Sequence, residues 1–91
     1  MSDYSTLKVI TSSGTFAPGP HTLLSVVLTP DGTNGATLVV QDSTDGTSGT
    51  LCVLRSIATA SVVLPLGRGV RCTKAVYGVL TGTAQAAAEI A

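Results

Sequence analysis

Short apolar, β-branched runs alternate with clusters of turn formers along the whole chain. Tyr4 to Ile10 (YSTLKVI) alternates, with Leu7 and Val9 on one side and Lys8 on the other, and reads as an opening strand. Thr11 to Pro20 is punctuated by Gly14, Pro18, Gly19 and Pro20 and reads as loop. The centre of the pattern is His21 to Asp42, HTLLSVVLT-PDGTNG-ATLVVQD, where two apolar runs flank a stretch of turn-forming residues. Pro30 fixes φ, and Gly32 and Gly35 accept φ > 0, so this stretch is expected to close a β-hairpin.

Further strands are expected at Thr50 to Arg55, at Ala60 to Leu64 ending on Pro65, at Val70 to Lys74 and at Ala75 to Thr81. Turns are expected at Ser43 to Gly49 and at Leu66-Gly67-Arg68-Gly69. Gly78, inside a strand, signals a bulge or a close backbone approach. The tail, Ala84 to Ala91, is rich in helix-forming alanine but too short for a stable isolated helix. Alternation puts Ala84, Ala86, Ala88 and Ile90 on one face and Gln85 and Glu89 on the other, and predicts a closing strand.

Seven to eight short strands and no amphipathic helix predict an all-β domain. The expectation is a single small antiparallel β-sandwich or jelly-roll-like domain over residues 1–91, with 1–6 as a flexible N-terminal arm. Several strands (LLSVVL, TLVV, TLCVL, SVVL) are apolar on both sides. An antiparallel strand with one wet face should alternate, so a second cover is implied for the outer faces.

Composition sharpens this. Charged residues make up 11% of the chain, against about 25% in an ordinary domain. Mean hydropathy is +0.47. With aromatics at 3%, the core must be built from Val, Leu, Ile and Ala, and Phe16 is the only large apolar residue of its loop, expected to tuck onto the core or onto a neighbouring subunit. So few charges on so apolar a chain point to surface covered by other subunits. The formal net charge of +0 argues against nucleic-acid binding through counterion release. No apolar run is long enough to span a bilayer, and MSDYSTLK has no secretory signal pattern, so a cytosolic origin is expected and no membrane partner.

No catalytic constellation stands out, and neither an enzyme nor a cofactor is expected. The single histidine, His21, would need a nucleophile and an orienting partner to act as a general base, and although serines are many there is no G-x-S-x-G elbow. Asp31-Gly32 and Asp45-Gly46 are turn dipeptides, and Asp42 to Gly46 lacks the alternating oxygen ligands of a calcium loop. Gly67-Arg68-Gly69 lacks the Gly-Lys-Ser/Thr of a phosphate loop. Cys52 and Cys72 form no zinc pattern; buried free thiols, a disulfide between neighbouring strands and a reactive thiol all stay open. Acids cluster between Asp31 and Asp45, and bases between Arg55 and Lys74, which suits complementary docking. Phe16, Arg55, Arg68, Arg71 and Lys74 are the candidate interface residues.

Three blocks then carry a resemblance: HTLLSVVLTPDGTNGATLVVQDSTDGT, GTLCVLRS and GVRCTKAVYGVLTGTAQAAAEIA. With the strand L-x-S-V-V-L-T, the hairpin exit A-T-L-V-V-x-D-x-T-D-G, the entry G-V-R-C and the motif Y-G-V-L-T-G-T, the chain resembles small phage structural proteins, some of them head decoration (cement) or accessory head or neck proteins. The resemblance runs from about Leu7 to the C-terminus and departs at the tail, which is poorer in β-branched and aromatic residues than that group. It implies a non-enzymatic capsid decoration protein, assembled in the host cytoplasm and resident in the virion. It also implies a homo-oligomer, a trimer by preference, bound to the major capsid protein or another virion protein. A neck, tail or fibre-base component is the alternative within this class. A module for host-surface glycans or receptors is the alternative outside it, disfavoured by the scarcity of Trp and Tyr.

Overall fold

The computed structural model describes residues 5–91, which form eight antiparallel strands in two four-stranded sheets, a small β-sandwich without a helix among the described residues. The strands are β1 (Thr6–Ile10), β2 (Gly14–Pro18), β3 (His21–Pro30), β4 (Thr37–Asp42), β5 (Thr50–Arg55), β6 (Val62–Cys72), β7 (Ala75–Thr81) and β8 (Ala84–Ile90). One sheet runs β1-β8-β3-β6 and the other β2-β7-β4-β5. Most of the expected arm, residues 1–6, lies outside the described residues; Thr6 already opens β1.

The pairing is nested: β1 with β8, β2 with β7, β3 with β6 and β4 with β5. Two further ladders, β3 with β8 and β4 with β7, complete the sheets. The chain behaves as one long hairpin, with its tip at the β4–β5 connection, rolled until the outer strands meet the inner ones. Only the β4–β5 connection stays within a sheet; every other one crosses the sandwich.

This corrects the expected central hairpin. β3 and β4 do not pair; they lie in opposite sheets. The turn chemistry at 31–36 is real: the Asp31 carboxylate accepts the N–H groups of Thr33 (2.7 Å) and Asn34 (2.9 Å). Strands apolar on both faces do not specify their partner, however, because no wet face fixes the register.

The core is built as composition requires. Leu23, Val26 and Leu28 of β3, Leu38 and Val40 of β4 and Val76 of β7 are fully buried. The tail is a strand, and Ala84, Ala86, Ala88 and Ile90 all face inward while Gln85 is exposed. Phe16 is 5% exposed and enters this core at a bulge in β2, where the register shifts between Thr15 and Ala17. Gly78 makes room for it: a Cβ there would stand 2.7 Å from Phe16 Cε2, 2.8 Å from Ile10 Cδ1 and 3.2 Å from Leu38 Cδ1. Of the two roles open to Gly78, the structure chooses close approach.

Three local expectations change. Gly14 to Pro18, expected as loop, is the edge strand β2, where proline is tolerated because one side of the ladder is free. The segment Leu66 to Gly69 does not end a strand. Ser25 pairs with Pro65 and Leu23 with Val70, so these four residues bulge out opposite Leu24 while β6 keeps the same partner. Gly67 (φ 59°) and Gly69 (φ 96°) supply the left-handed backbone of that excursion. In β1 the alternation holds, but the register Lys8↔Ala88 and Ile10↔Ala86 puts Lys8 on the inner side and turns Leu7 and Val9 outward.

A G78V substitution should therefore cost about 3 kcal/mol through overpacking against Phe16, Ile10 and Leu38. G14A, where the nearest atom to a new Cβ is 4.0 Å away, should stay within about 0.5 kcal/mol of the parent. Urea midpoints of the two variants check both expectations.

Candidate functional site

Three of the carboxylates, Asp31, Asp42 and Asp45, hold turns. Asp42, at the end of β4, is the clearest case. Its carboxylate accepts the N–H groups of Lys74 (2.8 Å), Thr73 (3.1 Å) and Ala75 (3.4 Å) and the Thr73 hydroxyl (3.3 Å). These bonds, that of Lys74 first, hold the Asp42 carboxyl below its ordinary pKa of 3.8. Asp45 accepts from the hydroxyl and N–H of Thr47 and from the Ser43 hydroxyl, and its pKa is lowered for that reason. Asp31 is lowered by the N–H groups of Asn34 and Thr33. Glu89 accepts from the hydroxyls of Ser5 (2.7 Å) and Ser25 (3.3 Å).

His21 is held locally as well: its Nδ1 lies 3.1 Å from the carbonyl of Gly19 and donates to it. Cys52 and Cys72 are free thiols on the edge strands β5 and β6 of opposite sheets. Burial pushes both up from the ordinary thiol range, and the charge of Asp42 adds to this at Cys72. Both thiols stay protonated and poorly nucleophilic at neutral pH. Among the described residues no three His, Cys, Asp or Glu side chains gather as a metal site, and no cavity opens.

The candidate interface residues do not form one patch. Phe16 is core, buried within its own chain, so it is not available as an exposed contact. Arg55 closes β5 opposite Thr37, beside the end where Ser56 bonds to Ala36. Arg71 sits at the far end of β6, opposite Thr22, and donates to its hydroxyl at 3.5 Å. Lys74 lies in the β6–β7 turn that Asp42 caps, and Arg68 lies on the β6 bulge. The acids divide in the same way, Asp31 at the Arg55 end and Asp42 and Asp45 at the other. Charges segregated along the chain are therefore mixed in space.

The surface with a definite character is the outer face of the β1-β8-β3-β6 sheet. The registers Val9↔Ala87, Val27↔Ala87 and Val27↔Val63 line up an apolar row across all four strands. Val9 is 49% and Val63 61% exposed, and Leu7, one row over, is 62% exposed. The other sheet has a shorter row, Val79–Val39–Val53. Part of that face is covered by the chain itself, because the 43–49 loop brings Gly46 against the Tyr77 ring; a Cβ on Gly46 would lie 2.6 Å from Tyr77 Cε1. Beside Tyr77 in the register, Gln41 is 7% exposed, with Oε1 lacking a hydrogen-bond partner. The two-sided apolar runs correspond to apolar outer faces that are exposed in the single chain; the row itself depends on long-range register and was not visible in the sequence.

Two measurements follow. Because the folded pKa of Asp42 is depressed, its contribution to stability is fully present above the unfolded value and is lost as pH falls through the folded one. Thermal unfolding followed from pH 6 to about pH 2 should show D42N less stable than the parent at pH 6, the difference shrinking in acid. Alkylation under denaturing, non-reducing conditions should block both Cys52 and Cys72, read as two mass increments. Compared with known families, curated proteins and solved structures, the chain matches none.

Proposed function

We propose that this protein is a non-enzymatic virion component, a decoration or cement protein that binds the outer shell of a phage capsid as a small oligomer and stabilises it. The observation that carries the reading is the exposed apolar row on one sheet of a chain whose Asp31, Asp42 and Asp45 carboxylates are occupied in turns. Such a face serves contact rather than turnover. The nested strand order supports a further reading of the fold as a jelly roll, an eight-stranded architecture found in viral capsid and lectin domains. The resemblance of the strand motifs to small phage structural proteins, some of them head decoration proteins, is what points to the virion and to the major capsid protein or another virion protein as the partner.

A cement protein stabilises its shell by mass action, because it binds the assembled lattice and not the separated subunits. At a free concentration a hundred times Kd this contributes about 2.7 kcal/mol per site. Capsids assembled without the protein should therefore lose integrity at lower temperature than complete capsids, and adding back the purified chain should restore the difference, measured by release of packaged DNA on heating. Equal thermal profiles with and without the protein would overturn the proposal.

A further inference from the structure

We propose that the outer face of the β1-β8-β3-β6 sheet is a self-association surface, on which two copies of this chain stack face to face about a two-fold axis. The inference rests on the fold and does not depend on the virion reading.

The row Val9–Ala87–Val27–Val63 is close to symmetric across the sheet, with valine on both edge strands and apolar residues between. A two-fold axis running along the strands, between β8 and β3, carries the row onto itself. Val9 then lies over Val63 of the second copy and Ala87 over Val27. The next row, Leu7–Glu89–Ser25–Pro65, behaves in the same way. Leu7 meets Pro65, and Glu89 meets Ser25, a hydroxyl of the kind its carboxylate already accepts within the chain. The acid on this face is therefore opposed by a donor and not by a like charge. Such self-complementarity is what an isologous interface requires.

The area agrees. Four strands about 4.8 Å apart, each of some six residues at about 3.4 Å, give a face of roughly 400 Å² in projection and on the order of 600 Å² once its pleat is counted. Two copies would bury on the order of 1,200 Å², the lower edge of specific interfaces, which fits a weak, concentration-dependent dimer. The opposite sheet is the poorer candidate, because its own 43–49 loop packs on Tyr77.

The test is sedimentation velocity of the full chain from roughly 10 μM to 1 mM, the span over which a weak interface fills. The parent should pass from monomer to dimer. V63D and L7D, on the two edge strands of the proposed face, should each remain monomeric throughout. V53D, 50% exposed on the outer face of the other sheet, should associate as the parent does. In the parent, methyl resonances of Leu7, Val9, Val27 and Val63 should shift with concentration while those of Val39, Val53 and Val79 stay fixed, a readout independent of the variants' folding. A parent that is monomeric at every concentration, a trimer, or shifts confined to the Val39, Val53 and Val79 methyls would each overturn the proposal. A monomer that still restores heat resistance to bare capsids would overturn this inference alone.

Discussion

The fold depends on one constraint: strands far apart in the chain must find each other before either four-stranded sheet is complete. Only β4 and β5 pair across a local turn. β8 must reach back to both β1 and β3, and its ladder with them joins the two ends of the described chain in the middle of a sheet. Closing such long loops costs entropy before contacts repay it, which makes folding of this kind slow and dependent on the C-terminal strand. β8 suits that position because its inner face is small. Ala84, Ala86 and Ala88 fill the space between sheets without demanding one particular neighbour, and Ile90 closes the far end.

The polar residues serve the same constraint. Each crossing between the sheets needs its freed backbone groups satisfied, and buried N–H and C=O groups are seldom left without partners. Asp42 does this for the β6–β7 turn and Asp31 for the β3–β4 crossing, while Ser13, in the β1–β2 crossing, accepts the N–H of Leu80 in β7 at 2.9 Å. Between the β3–β4 and β5–β6 crossings, Ala36 and Ser56 exchange hydrogen bonds. Three of the carboxylates, Asp31, Asp42 and Asp45, are thereby held in turns.

By itself, the sequence determined the all-β class, most strand positions and the direction of the tail's faces. These follow from local physics: a period of two, β-branched runs, and glycine and proline at turns. It also signalled, through strands apolar on both sides, that the outer faces would not be plain wet surfaces. Only the tertiary structure decided who pairs with whom. The run of turn formers at 31–36 looks the same whether it closes a hairpin or crosses a sandwich, so the separation of β3 from β4 was not legible. The turn signal at Leu66 to Gly69 is likewise local, and pairing on either side with β3 converts it into a bulge. The outward direction of Leu7 and Val9, and hence the apolar row they flank, is fixed by the register of β1 against β8, and a shift of one residue would have turned them inward. The charge clusters show the reverse case: plain in sequence, they are dispersed in space because the crossings carry neighbours in the chain to opposite sheets and opposite ends.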